Sequence, residues 1–254
     1  MPNNASTHAD EGELRPLSAR SVVLSMLLGL HPPELPVKDL VRNVEPFGIA
    51  GSTLRAALSR MVAAGDLRRA DAVYRLSDRL LERQRRQDDA VHPETRPWSG
   101  DWEMVVVTAT GRGPAERAEL RGKLTRLRLA ELREGVWLRP ANLLRPLPDD
   151  LGRVAQRYTA RPGRPAPELA ATLWPLAEWA DTGRALLTHV TGAGRPSDRF
   201  TAFAAVVRHL LADPVLPPGL LPPDWPGTPL RAAYAAYRRE MSDTAHARAG
   251  QEAV

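Results

Sequence analysis

From Ser52 to Ala64 the apolar residues fall at Leu54, Ala57, Leu58, Met61 and Val62. That i, i+3, i+4, i+7, i+8 spacing lays them on one stripe of a helix. Gly65 ends the helix at once. Two short apolar runs follow, Asp66 to Arg68 and Val73 to Leu76, joined by Arg69 to Ala72, which reads as a small hairpin. Upstream, Ser18 is a plausible N-cap for a helix to about Leu30 with Val22, Val23, Met26, Leu27 and Leu30 on one face, stopped by His31-Pro32-Pro33. A second, short helix follows Pro36, with Val37, Leu40, Val41 and Val44 on one face, and Pro46 and Gly48 make the turn after it. Three helices and a hairpin in about 60 residues is the winged-helix layout, whose second and third helices form a helix-turn-helix.

The third helix leaves Ser52, Thr53, Arg55, Ser59 and Arg60 off its apolar stripe. In this layout that face enters the major groove, where hydroxyls and guanidinium forks suit base edges and phosphates. The hairpin adds Arg68, Arg69 and Arg75 as further DNA-contact candidates. The same face also fits a solvated helix or a winged helix that binds protein. Charge bears on the choice through its distribution more than its total of +5. Ala50 to Arg86 holds nine arginines against four acids, and Arg112 to Arg164 thirteen basic residues against six. The chain from Pro165 onward is near neutral, at eight against nine. A basic block is usually a solvated face, and it becomes informative on a binding scaffold.

A linking helix from Asp78 to about Ala90, rich in Arg and Gln, reads first as a solvated connector, and Pro93 to Ser99 as a domain boundary. Trp102 to Thr108 is a near-continuous apolar run, expected as a buried strand. A helix from Pro114 to about Leu127, a strand at Gly135 to Leu138, a strand at Arg153 to Thr159, a helix from Leu169 to about Leu187 and a strand at Leu186 to Thr191 complete a ferredoxin-like order. Asp198 to Leu211 is helical, Pro214 to Pro229 is a proline-rich loop, and Leu230 to Arg239 is a last helix. The expected class is α+β. A disordered tail (1–17) precedes a winged-helix domain with its linker helix (18–92). A ferredoxin-like domain (97–192), a C-terminal helical domain (193–240) and a flexible tail (241–254) follow.

Several function classes drop out. Cysteine is absent, which excludes disulfides, thiolate metal sites and a Cys nucleophile. No stretch approaches the roughly 18 apolar residues that cross a bilayer, and Met1 to Arg15 is polar without a hydrophobic segment, so the cytoplasm is the expected compartment. None of the six histidines is paired at i, i+3 or i+4, so no metal site is expected. Gly111-Arg112-Gly113 has the look of a dinucleotide turn, but Glu116 stands where the third glycine belongs. The end of the first middle strand, Val107-Thr108-Ala109-Thr110, lacks the carboxylate a metal-dependent nuclease of that fold needs, and Asp101 and Glu103 lie at its other end. No catalytic residue and no cofactor is expected.

The chain resembles the PaaX-type transcriptional regulators, repressors of aromatic-acid catabolism in bacteria. The resemblance rests on Leu54 to Val62 with Gly65, on Tyr74-Arg75-Leu76-Ser77, on Trp98 with Trp102, and on Gly135-Val136-Trp137-Leu138-Arg139-Pro140. Its most specific string is Asp213-Pro214, Leu216-Pro217 and Leu220 to Gly227, which contains Pro223-Asp224-Trp225-Pro226-Gly227. It covers roughly Ser18 to Arg239. Two departures are visible: Asp71 in the wing where the family often has Gly-Arg pairs, and Pro175 after Trp174 where it tends to have an acid. The resemblance implies a cytoplasmic homodimer that binds a palindromic double-stranded DNA operator, and a middle domain like that of the CRISPR adaptation nuclease. It also implies release by an aryl- or acyl-CoA thioester effector. The alternative is a nucleic-acid or protein interaction module with no small effector. The phosphates of such an effector would need basic partners, and the middle block offers Arg126, Arg128, Arg133, Arg139, Arg157, Arg161 and Arg164 without a way to choose among them. The effector site is expected among the later domains, near the Asp213 to Gly227 loop.

Overall fold

A computed structural model describes residues 18–250. The tail expected at 1–17 and the last four residues of the one expected at 241–254 lie outside the described residues. The chain divides into two compact units. One comprises the chain up to Arg85 with Thr188–Val206 and the chain from Ala236; the other comprises Arg86–Leu187 with Val207–Ala235.

In the first unit, helix α1 (Ala19–Gly29) starts where expected, with Ser18 Oγ accepting from the Ser21 N–H at 3.2 Å. Strand β1 (Glu34–Pro36) and helix α2 (Val37–Val44) follow. A single 3-10 turn and Gly48, at φ 67°, lead to helix α3 (Gly51–Ala63). Strands β2 (Leu67–Ala70) and β3 (Val73–Leu76) make the hairpin. Its loop is only Asp71-Ala72, both at positive φ (47° and 61°), the two-residue connection whose twist matches the flanking strands. Arg69 and Ala70, expected in the connection, are therefore in β2. β1 adds a third strand, in the order β1-β3-β2. Three residues ending in proline show no period-2 pattern, so β1 has no sequence signal of its own.

Leu54, Leu58 and Met61 of α3 pack with Val22, Leu27, Leu40 and Leu76. This core is not closed by the first eighty-odd residues. Phe200 of helix α8 (Pro196–Leu210) is buried in it, its ring 4.9 Å edge-on from that of Phe47. Tyr237 and Met241 of helix α9 (Gly227–Gly250) pack against it too. α9 thus runs to Gly250 where a fraying end after Arg239 was expected. Nor is helix α4 (Asp78–Val91) merely a solvated connector. It buries Leu80 and Gln84, and the Gln84 amide donates to the Leu28 and Leu30 carbonyls at the end of α1 (3.2 and 2.8 Å).

The second unit is built on strands β4 (Trp102–Val107), β5 (Ala130–Arg133), β6 (Val136–Pro140) and β7 (Ala155–Ala160), with helix α5 (Pro114–Arg126) after β4. The sheet order is β5-β6-β4-β7, all neighbours antiparallel. That is the ferredoxin-like order, reached with different residues than expected. β5 is four residues with a bulge and two charged side chains, too irregular to read. The strand expected as third, Arg153 to Thr159, overlaps the fourth, and a 3-10 turn at Asp149–Arg153 precedes it. The strand expected at Leu186 to Thr191 is the end of a helix, α7 (Leu176–Gly192). Leu176, Trp179, Ala180, Gly183 and Val190 keep a helical burial period to that end, which overrides the β-branched local composition. Pro175 separates α7 from helix α6 (Ala166–Leu173), because the residue before a proline avoids the helical region; Trp174 sits at φ −131°, ψ 141°.

Both faces of this sheet are covered, which is why β4 reads as a near-continuous apolar run broken only by Glu103. Val105 and Trp137 pack on Leu124 and Leu127, while Trp102 and Leu138 pack on Leu169, Leu176, Leu216 and Leu220. The proline-rich loop is stapled down. Asp213 is 1% exposed and accepts from the Arg231 guanidinium at 2.7 Å and the Val215 N–H at 2.8 Å. Trp225 stacks on Trp179 with centroids 4.3 Å apart. A Cβ on Gly183 would come within 2.7 Å of Pro226, and one on Gly227 within 2.5 Å of the Trp225 ring nitrogen. The Trp-Pro-Gly string is thus a close-approach motif.

Candidate functional site

α3 turns Leu54, Ala57, Leu58 and Met61 into the core, so its opposite face is outward by geometry. Ser52, Thr53, Arg55, Ser59 and Arg60 are all exposed there. No side-chain partner holds Ser52, Thr53, Arg55 or Ser59 among the described residues, and Arg60 only donates back to the Ala56 carbonyl at 3.3 Å. The face is polar, cationic and uncommitted.

The wing is different. Arg68, Arg69 and Arg75 are exposed, but Arg68 pairs with Asp78, and Arg75 lies 3.5 Å from the Glu34 carboxylate. Arg69 lies over the Tyr74 ring at 5.8 Å. Two of the three wing arginines are therefore partly neutralised. Between helix and wing, the buried Asp66 carboxylate takes Arg20 at 2.7 Å and also Arg79. It ties α1 and α4 to the turn between α3 and β2.

The middle arginines separate into groups that the sequence could not. Arg139 is 2% exposed, donating to Glu103 and to the carbonyls of Leu127 (2.6 Å) and Arg145 (3.1 Å). Arg157 donates to the Leu147 carbonyl, Arg161 pairs with Asp101, and Arg164 lies 3.8 Å from Glu168. The Arg161 guanidinium and the Ser99 hydroxyl hold the Asp101 carboxyl below the usual carboxylate range. Both acids at the start of β4 are thus engaged by arginines. Arg126 and Arg128 remain, at the end of α5, and Arg133 on the β5 edge is exposed.

Arg126 and Arg128 line a cavity of about 290 Å³ in the second unit. Arg86, Arg139 and Arg145 also line it, against the carboxylates of Asp89 and Glu94, and Leu127, Leu211 and Val215 supply apolar surface. Arg145 pairs with Asp89 at 2.7 Å. Arg128 stands at φ 65°, with its N–H on the Thr125 carbonyl and the next N–H on that of Leu124. This is a Schellman end in which the left-handed residue is ordinarily glycine. Arg128 Nη1 donates to the Leu211 carbonyl at 2.5 Å. Burial pushes the Arg128 guanidinium below the usual arginine range, and nearby Asp213 opposes that shift. Asp89 and Glu94 were not anticipated as lining residues, because nothing in their spacing connects them to α5.

Gly111-Arg112-Gly113 is a self-capped helix start: Glu116 accepts from the Gly113 N–H at 3.0 Å, filling the place a phosphate would take. Among the described residues, no group of three His, Asp or Glu is placed to hold a metal ion, and no helix is long and apolar enough to cross a membrane.

Three family models match along the chain: the PaaX-like protein over residues 18–80, the PaaX protein central Cas2-like domain over 95–159, and the PaaX-like protein C-terminal domain over 174–250. The chain belongs to the PaaX family. Its fold is also similar to the solved structure of an uncharacterized protein from Mycobacterium tuberculosis. The two are 49% identical with a TM-score of 0.78, over 91% of this chain and 97% of that one. No curated protein matches the sequence significantly. PaaX membership points to a transcriptional regulator, a regulator family rather than an enzyme family, with DNA as the partner it suggests.

Proposed function

We propose that the chain is a cytoplasmic, homodimeric repressor that binds a double-stranded DNA operator through α3 and leaves it when an aryl- or acyl-CoA thioester binds. The observation that carries the reading is the α3 surface, where Ser52, Thr53, Arg55, Ser59 and Arg60 face outward while Leu54, Ala57, Leu58 and Met61 are buried and Val62 packs against the core. Arg55 is the first base-edge candidate and Arg60 a phosphate contact. Arg69 extends the contact along the wing, with Arg68 and Arg75 contributing less because of their carboxylate partners. One winged helix covers one half-site, so a long operator calls for a symmetric pair.

The test is selection of bound sequences from a randomised duplex pool, followed by titration of the enriched duplex. A palindromic winner, bound by a particle of twice the chain mass in light scattering, supports the reading. Absence of any enriched sequence overturns it. Effector release is read by adding phenylacetyl-CoA and other thioesters to the complex and to the free protein, since a ligand of the native state raises its melting temperature by mass action. Sequence-specific binding that no thioester disturbs would favour an interaction module without an effector.

A further inference from the structure

We propose that the cavity at the end of α5 binds the phosphate or pyrophosphate group of a small molecule, with Arg126 and Arg128 as its direct partners. Arg128 carries the argument. An L-residue at φ 65° closes the Schellman end of α5, a position where glycine is at ease and arginine is strained. The strain puts a guanidinium against the cavity, where a single carbonyl, that of Leu211, accepts from it. Among the described residues Arg128 has no carboxylate within ion-pair distance. Arg128 is half-buried at the cavity with one protein acceptor, so its remaining N–H donors are open to an anion. Arg126, two residues earlier, lines the same cavity and has no side-chain partner among the described residues.

The other lining groups give the site its shape. Arg139 has donors committed to Glu103 and two carbonyls, so it is scaffold, while Arg145 is held at the rim by Asp89. Arg126 and Arg128, with no carboxylate bound to them among the described residues, leave positive charge in the cavity that suits a doubly charged phosphate better than a single carboxylate. The apolar floor of Leu127 and Leu211 lowers the local dielectric and strengthens each guanidinium–phosphate contact. A cavity of about 290 Å³ takes a phosphorylated small molecule, while a duplex would meet only its rim. The inference deepens the regulator reading by giving a charged effector a place to act, yet its binding is measured without DNA.

The experiment is calorimetry of the full chain with inorganic pyrophosphate, and separately with orthophosphate. Saturable pyrophosphate binding is expected, weakened at least tenfold (about one decade in Kd) by Arg128→Gly and by Arg126→Ala. Arg128→Gly is the decisive variant, because glycine relieves the left-handed position and leaves the melting temperature unchanged or higher. Arg161→Ala, which removes an arginine paired with Asp101 outside the cavity, should bind as wild type. Wild type that ignores pyrophosphate overturns the proposal. So does Arg128→Gly that binds as wild type, or Arg161→Ala that loses as much as Arg128→Gly. If these cavity variants instead weaken binding to random duplex while pyrophosphate does not bind, the arginines serve DNA and the proposal is wrong. A wild type that selects no operator yet binds pyrophosphate sinks the regulator reading alone.

Discussion

On α3, Arg55 reaches solvent without a partner, whereas on β6, Arg139 is 2% exposed and fully engaged by Glu103 and two carbonyls. Both belong to stretches where arginine outnumbers acid. Arginine content therefore says how much charge a region carries and nothing about how much remains for a ligand. In the first stretch Arg55 of α3 has no side-chain partner among the described residues because the apolar stripe turns the other way. In the second, Arg139, Arg157 and Arg161 organise the sheet and its loops, while Arg126 and Arg128 line a cavity with no carboxylate bound to them among the described residues.

The contrast breaks first at Arg139. Arg139→Met should cost about 3–5 kcal/mol, because it leaves Glu103 part-buried without its cation and two carbonyls without donors. Urea titration measures it; a midpoint near wild type would mean that Arg139 is as available as Arg55. Arg55→Ala gives the opposite pattern, with specific duplex affinity down by about 1–3 kcal/mol and stability changed by less than about 0.5 kcal/mol. Anisotropy titration paired with a melt reads both, and loss of stability without loss of affinity would reverse the assignment. Burial versus exposure also predicts a pH effect at His209. This ring stacks on Trp179 at 4.1 Å with Nε2 on the Trp179 carbonyl, and burial pushes it below the usual histidine range. As pH falls through about 6.5 the unfolded chain takes up this proton more readily than the folded one, so stability is lost on the acid side. His209→Gln should melt with a shallower loss between pH 7.5 and 5.5, and an identical slope would remove His209 from the account. The smallest effect belongs to Arg161→Ala, an exposed ion pair whose removal should leave the unfolding midpoint where it was.

The three N-terminal helices were legible because each pays one apolar stripe into the core, and that stripe also fixed which of Ser52, Thr53, Arg55, Ser59 and Arg60 would be outside. β1 and β5 were not legible, since a three-residue strand with proline and a four-residue strand with a bulge have no period to detect. The stretch from Leu186 to Thr191 misled in the other direction, because its composition is strand-like and the helical period that governs it begins ten residues earlier at Leu176. The wing pairs Arg68–Asp78 and Arg75–Glu34, and the cavity that joins α5 to Asp89, depend on approaches across sequence that no local pattern encodes. Sequence offers Arg128 as one of seven middle arginines; its left-handed backbone, the feature that singles it out, follows from the Schellman end of α5 and has no local sequence signal.

The burial of Phe200 and the packing of Tyr237 against the winged-helix core have a consequence for how the protein is made. A nascent chain emerging N-terminus first presents α1, α2 and α3 early, with Phe47 still lacking the ring that covers it. At about 5–20 residues per second, the wait for α8 and α9 to leave the ribosome is on the order of ten to forty seconds. During that interval the first unit is an incomplete fold, with exposed apolar surface for chaperones to meet. A prematurely terminated chain would carry the whole of α3 and still leave the core around Phe47 uncovered, so truncated products should be unstable.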